Sequence, residues 1–240
     1  MKVAVVTGGT KGIGYSIVEM LLKKGYFVYL TYSHDEAAAV KASHALECIS
    51  SQFCVEKVDQ GDLVQVSSFT KKILMKHPQI DCLVCNAGKT VRKTIAELAN
   101  GEWEDVFSVG LNSHVYLIRD WWKLLQNNSR IVFIGSEMGI RPHSMSVAYG
   151  VMKAAVHAFV KNLVKEFEGT GTTINAVAPG FVETEWQKNK PMEIRKNIEK
   201  KSACHRFARP EEIAHAVEFC LDNAFLNGSI IEINGGYNFK

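Results

Sequence analysis

Tyr149 and Lys153 stand four residues apart in the run AYGVMKAAV, and Ser136 lies thirteen residues before the tyrosine in FIGSEMG. On an α-helix, residues at i and i+4 share a face, so an ammonium at 153 lies beside a phenol at 149. A fixed cation favours the phenolate over the phenol, whose unperturbed value is about 10, and each tenfold gain in acidity corresponds to about 1.4 kcal/mol. The chemistry this pair could do is proton transfer by Tyr149 at neutral pH, tuned by Lys153. By itself the pair reads more readily as one turn of an amphipathic helix with a half-buried tyrosine and a snorkelling lysine. The elements that position it decide between the two.

Near the N-terminus the chain reads KVAVVTGGTKGIGYS. The apolar run over 3–6 predicts a buried parallel strand, followed by a glycine turn and a helical pattern over 13–24. Gly8 lets the chain turn sharply, Gly12 lets backbone N–H groups approach a pyrophosphate, and Gly14 lets the helix pack closely on the strand. The helix N-terminus adds partial positive charge. The spacing is G-x-x-x-G-x-G rather than G-x-G-x-x-G, so position after a strand carries as much weight as the pattern.

With 240 residues, 47% of them hydrophobic, the chain can bury one large core, and a single domain over 1–240 is expected. The 28 basic and 25 acidic residues are spread throughout for a net charge of +3, which argues against a nucleic-acid partner. Apolar runs are strand-length and Met1 is followed almost at once by the glycine turn, so no membrane span or signal peptide is expected and the location predicted is cytoplasmic. Cys82 and Cys85 form C-x-x-C, but in a strand positions i and i+3 point to opposite faces, so free buried thiols are expected rather than a metal site.

Strand-like segments fall near 3–6, 27–31, 53–58, 80–85, 130–135, 172–177 and 229–233, separated by helical stretches. The alternation predicts an α/β fold: a Rossmann-type doubly wound parallel sheet of about seven strands with helices on both faces. Ligands of such sheets bind beyond the carboxyl ends of the strands. Gly8–Gly14, Asp59, Asn86-Ala87-Gly88, Ser136 and Pro179-Gly180 all follow strands and are expected along one edge. The one long irregular stretch expected is about 180–205.

In their order, TGGTKGIG, KVDQGD, NAG, a serine thirteen before YGVMK, NAVAPGFVET, RPEEIA and INGG resemble the classical short-chain dehydrogenase/reductase family over essentially the whole chain. Among subgroups the chain looks most like the bacterial 3-oxoacyl-acyl-carrier-protein reductases. The resemblance implies that Tyr149 donates a proton to a carbonyl oxygen, Ser136 hydrogen-bonds that oxygen, and Lys153 holds the nicotinamide ribose while lowering the Tyr149 pKa. It implies dinucleotide contacts at Gly8, Thr10, Lys11, Gly12, Ile13 and Gly14, at Tyr32 and Ser33, and at Asp59 and Gln60. Further contacts are implied at Asn86, Ala87 and Gly88, at Tyr149 and Lys153, and at Pro179, Gly180, Val182 and Thr184. It implies a substrate lid over about 181–205 and a homotetramer.

An acidic residue after the second strand would accept a ribose 2′-hydroxyl, and Leu30-Thr31-Tyr32-Ser33-His34 holds none, while Lys11 could meet a 2′-phosphate. NADP is therefore expected, with NAD possible. The family's helix asparagine, seven residues after a tryptophan, supports a proton-relaying water, yet here Gly110 holds that position. Asn112 would lie about 200° around a regular helix from it, and His114 would share its face. Water alone, Asn112 through a local distortion, or His114 could complete the relay. Lys188, Lys190, Arg195, Lys196, Lys200 and Lys201 could attract an acidic substrate or carrier protein. An acyl-carrier-bound substrate is preferred over a free small carbonyl such as a steroid, sugar or pteridine-like compound. A dinucleotide-binding protein without catalysis is the alternative of another class.

Overall fold

The computed structural model describes residues 1–239, and Lys240, the last residue of the expected span, lies outside them. Its strands are β1 (Val3–Val6), β2 (Phe27–Tyr32), β3 (Phe53–Lys57), β4 (Cys82–Cys85), β5 (Arg130–Ile134), β6 (Thr173–Pro179) and β7 (Ile230–Ile233). Its helices are α1 (Gly12–Lys23), α2 (Glu36–Glu47), α3 (Leu63–Lys76), α4 (Asn100–Phe107), α5 (Ser113–Asp120), α6 (Val147–Glu166), α7 (Met192–Lys201) and α8 (Pro210–Asp222). The strands form one sheet in the order β3-β2-β1-β4-β5-β6-β7, every pair parallel. Each expected strand is present within two residues of its expected start.

The sheet is parallel because its apolar strands need cover on both faces, which crossover helices supply. Side chains alternate accordingly. Val5, Leu83, Ile131 and Ile174 pack with Leu117, Trp121 and Val156 on one face, whereas Val6, Val84, Val132 and Val177 pack with Ile17, Leu21 and Val217 on the other. Cys82 and Cys85 divide between those same two faces, as the strand reading required. The polar ends of large side chains are satisfied in place: Trp121 Nε1, on a fully buried ring, donates to the Thr70 carbonyl at 3.0 Å. Among the described residues no helix is long and apolar enough to cross a membrane.

β1 pairs with β2 on one side and β4 on the other, so the chain winds outward from it in both directions. That switch point leaves a crevice beyond the carboxyl ends of β1 and β4, into which the glycine turn projects.

Two expectations need correction. Segment 180–205 is not irregular throughout: it holds a 3₁₀ turn at Glu185–Gln187 and the helix α7. The helix expected to run regularly past Gly110 is broken by a π turn at Ser108–Asn112, between α4 and α5. A wider turn of this kind changes the angle per residue, which invalidates the regular-helix count to Asn112. Opposite the turn, a Cβ on the buried Gly110 would sit 2.4 Å from Met152 Cε and 2.6 Å from its Sδ. Met152 of α6 fills the space that a side chain at 110 would need.

Gly14 is where the packing of α1 on the sheet is tightest, since a Cβ there would lie 2.2 Å from the Gly8 carbonyl oxygen and 2.6 Å from Asn86 Nδ2. Gly14→Ala is expected to lower stability by about 1–3 kcal/mol, as overpacking does. Gly101→Ala, in the open first turn of α4, is expected to raise it by about 0.4–1 kcal/mol. Thermal melts of the two variants check this, and equal melting temperatures would contradict it.

Candidate active site

The crevice is built around Thr7, the residue that follows β1. Its Oγ1 accepts the backbone N–H groups of Asn86 and Ala87, both at 2.9 Å, which ties the end of β1 to the end of β4. The Asn86 amide returns two bonds from Nδ2, to the Thr7 carbonyl at 2.8 Å and the Gly8 carbonyl at 3.0 Å. These four bonds fix the glycine turn against the Asn86–Gly88 corner. α1 then begins without a side-chain cap, leaving its first N–H groups directed at the crevice. Gly12, at φ +53°, faces Thr184, whose Cγ2 would be 3.1 Å from a Cβ there.

The crevice encloses about 700 Å³ and gathers residues from the whole sheet edge. Gly8, Thr10, Lys11, Gly12, Ile13, Gly14, Tyr32, Ser33, Asp59, Gln60, Asn86, Ala87, Gly88, Tyr149, Lys153 and Thr184 all line it. Ser136 does not line it, and neither do Pro179, Gly180 and Val182. Pro179 is buried at the end of β6, Gly180 packs on Asn234, and Val182 bridges to Ala208, so they support the wall from behind. Gln60 is 3% exposed with neither amide atom partnered, and Asp59 Oδ2 pairs with His34 at 3.2 Å.

Thr31, Asp35 and Trp186 also line the crevice. Asp35 corrects the charge reading. It stands one residue beyond the stretch that holds no carboxylate, caps α2 by accepting the Ala38 N–H at 2.9 Å, and pairs with Lys11 at 2.7 Å. Lys11 is thus not a free cation at the ribose end.

At the opposite end, α6 presents Tyr149 and Lys153 from one face. Ser136, two residues beyond β5, caps a 3₁₀ turn by accepting the Met138 N–H at 3.1 Å, and its hydroxyl favours the Tyr149 phenolate. Lys153 Nζ donates to the Ile134 carbonyl and lies 5.7 Å from the Tyr149 ring centroid. A Cβ on Gly88 would be 3.8 Å from that Nζ, so the lysine closes against the Asn86–Gly88 corner. Trp186 lies edge-on to Tyr149, centroids 6.1 Å apart.

The expected lowering of the Tyr149 pKa is reversed here. Burial pushes the phenol up to about 12, outweighing the Ser136 hydroxyl, which favours the phenolate. Burial also draws the Lys153 ammonium down to about 8. Both shifts disfavour the charged forms, because the crevice wall desolvates the two groups, but at neutral pH the phenol keeps its proton and the ammonium remains largely protonated.

Two imidazoles flank the lysine. His114, 1% exposed, has Nε2 at 3.2 Å from Thr7 Oγ1, and burial together with the Lys153 charge brings it down to about 3. Its Nδ1 is turned towards the Gly110 carbonyl, an interaction that favours the protonated ring but falls short of hydrogen-bond geometry. His157 Nε2 accepts the Ser136 backbone N–H at 3.4 Å. Burial, then Lys153, brings it down to about 4. Asn112 does not line the crevice. His157 escaped the sequence reading because a lone helix histidine carries no signal.

With this geometry in place, comparison with known proteins is decisive for the class. A family model described as short chain dehydrogenase matches residues 2–194. The chain is 33% identical to the 3-oxoacyl-acyl-carrier-protein reductase of Aquifex aeolicus, over 98% of this chain and 96% of that protein. It is 32% identical to the acetoacetyl-CoA reductase of Allochromatium vinosum, over 98% of each. The solved RhlG/NADP active-site complex of Pseudomonas aeruginosa superposes with a TM-score of 0.90 at 26% identity, covering 98% of this chain and 96% of that one. The chain belongs to the short-chain dehydrogenase/reductase family. It is an NAD(P)-dependent oxidoreductase.

The buried imidazoles make stability depend on pH. Their folded values, about 3 and about 4, lie below the ordinary 6.5, so between those values the unfolded chain binds more protons. Stability contributed by the two neutral rings is therefore present above about pH 6.5 and lost as pH falls towards 4. For Lys153, about 8 against an ordinary 10.5, the same sign makes stability rise with pH across that higher window. His157→Gln keeps an acceptor for the Ser136 N–H but does not titrate. Urea midpoints are expected to fall less steeply with acidification in this variant than in wild type, and parallel curves would contradict the assignment.

Proposed function

We propose that the chain reduces the ketone of a 3-oxoacyl thioester to a secondary alcohol with NADPH. The observation that carries this reading is that Tyr149 and Lys153, the ammonium 5.7 Å from the phenol ring centroid, stand together on α6 in the wall of a crevice shaped for a dinucleotide. The residues present suit that cofactor. The uncapped start of α1 suits a pyrophosphate, and a Cβ at Gly12 would meet Thr184, leaving backbone on one side and a hydroxyl-bearing residue on the other. When bound, a reduced nicotinamide supplies the hydride.

The chain's own residues supply the rest. The Ser136 hydroxyl orients the substrate carbonyl oxygen and stabilises the charge that develops on it. Tyr149, held at about 12 by burial, keeps its proton at neutral pH until that charge appears, then donates it. A protonated Lys153 stabilises the phenolate left behind, and its bond to the Ile134 carbonyl keeps it in place. His157 accepts the Ser136 N–H and so helps to hold the serine's backbone. Met152 occupies the site of a side chain at 110, so proton resupply to Lys153 is assigned to water rather than to a side chain there.

The thioester reading draws support from the two reductase relatives. For the nucleotide, Tyr32 and Ser33 place no carboxylate directly beyond β2, and the Lys11–Asp35 pair is about half exposed on both sides. Exposed pairs are worth about 0–1 kcal/mol, so a dianionic phosphate can compete for Lys11. Asp35 favours the second reading, NAD, by offering its carboxylate to ribose hydroxyls. For the assembly a homotetramer is proposed, its packing faces supplied by apolar side chains left exposed, among them Val147 and Val151 one turn apart on α6.

Tyr149→Phe is expected to cut turnover of acetoacetyl-CoA by about 10²–10⁴-fold while leaving NADPH binding within about twofold. Loss of reduced-nicotinamide absorbance measures the first and fluorescence titration the second. Wild type run with NADH in the same assay is expected to show at least about a tenfold lower kcat/KM, equivalent to about 1.4 kcal/mol. Undiminished turnover by Tyr149→Phe would overturn the proposal.

A further inference from the structure

His114 is a buried imidazole to which the reduction assigns no role. It is the second residue of α5, directly after the π turn that Ser113 closes by donating its N–H to the Ser108 carbonyl. Its ring packs edge-on against Phe133 of β5, centroids 6.1 Å apart, and is 1% exposed. Nε2 lies 3.2 Å from Thr7 Oγ1, at the corner where the ends of β1 and β4 are tied together.

A ring nitrogen beside a hydroxyl can give the proton or take it, so the distance by itself does not say which. The other partners of Thr7 do. A hydroxyl oxygen has two lone pairs and one hydrogen. Both lone pairs are taken, by the Asn86 and Ala87 N–H groups at 2.9 Å each. A third donor would find no acceptor there, so His114 Nε2 carries no hydrogen and accepts the one on Thr7. Val84 offers the other acceptor for that hydrogen. Its carbonyl, however, stands 3.5 Å from Oγ1, beyond the usual O–H···O range, and already takes the Thr7 N–H at 3.1 Å. Thr7 is fully buried, so bulk water cannot take the hydrogen instead.

The neutral ring then holds its own hydrogen on Nδ1, the atom turned towards the Gly110 carbonyl of the π turn. A donor is favoured facing that carbonyl, whereas a lone pair would be repelled, so both ends of the ring agree on one tautomer. With no acceptor at 114, the Thr7 hydrogen would have only the distant Val84 carbonyl to turn to. A lone pair would swing off one of the two N–H groups as it turned.

We propose that His114 is a positioning residue for the dinucleotide corner: as the Nδ1–H tautomer it accepts the Thr7 hydroxyl hydrogen and so aims both lone pairs of Oγ1 at Asn86 and Ala87. This role needs only that the crevice bind a nicotinamide dinucleotide, whichever carbonyl is reduced. It also gives the π turn a part in the site, because that turn sets the direction in which His114 leaves α5.

Fluorescence titration of the full chain, with whichever of NADPH and NADH wild type binds more tightly, tests this. His114→Leu keeps bulk and removes the acceptor, and is expected to raise the dissociation constant about three- to tenfold, the worth of one neutral hydrogen bond. His114→Gln, whose amide oxygen can take the place of Nε2, is expected to recover most of the loss. In a Thr7→Val background, His114→Leu is expected to change the constant by less than about twofold, because the bond it removes is already gone. Wild-type affinity in His114→Leu, or losses that multiply in the double variant as those of independent sites do, overturns the proposal. In wild type itself, ¹⁵N–¹H correlation spectra of histidine-labelled protein at neutral pH are expected to place the His114 hydrogen on Nδ1. A hydrogen on Nε2 overturns the proposal whether or not the variants fold.

Discussion

One hydroxyl, that of Thr7, holds the crevice together. The parallel sheet brings the ends of β1 and β4 side by side but leaves the N–H groups of Asn86 and Ala87 beyond the ladder, in a partly buried corner where unmet donors cost about 1–3 kcal/mol each. Thr7 Oγ1 satisfies both. Asn86 then binds the Thr7 and Gly8 carbonyls, and the space left beside it is so small that only a glycine fits at position 14. The start of α1, the glycine turn and the Asn86–Gly88 corner are therefore one packed unit rather than three separate loops.

From that unit the rest of the site follows. Lys153 closes against the Asn86–Gly88 corner, His114 reaches Thr7 from α5, and α6 carries Tyr149 and Met152 along with the lysine. Desolvation dominates the electrostatics: the phenol is raised, while the ammonium and both imidazoles are lowered. At neutral pH the Lys153 ammonium is then the fixed charge among these four groups, preorganised to stabilise the negative charge that appears as the carbonyl is reduced.

Much of this was legible in the sequence. The strands were, because their apolar runs are short and bounded by turns, and so was the edge on which Gly8–Gly14, Asp59 and Asn86 gather, because parallel topology dictates it. What sequence spacing could not show is how neighbours occupy space. Gly110 reads as a missing side chain, yet its Cβ position is taken by Met152, forty-two residues away, and the π turn there changes which residues share a face. Asp35 lies one position past the stretch that seemed to decide the nucleotide, and only its pairing with Lys11 reveals its influence. The direction of the Tyr149 shift was misjudged for a related reason. The i, i+4 spacing places the lysine nearby, but the enclosing wall, assembled from distant segments, sets the larger effect. Likewise, sequence shows six cations in one segment but not that Lys188 and Arg195 are the two paired with Glu185 and Glu183.

The role given to the Thr7 hydroxyl is tested most directly by NADPH titration of Thr7→Val beside Thr7→Ser. Valine keeps the shape and removes the acceptor, whereas serine keeps the acceptor. Dissociation constants for the serine variant close to wild type and for the valine variant raised by at least about tenfold, about 1.4 kcal/mol, are the result predicted. Wild-type affinity in Thr7→Val would contradict it.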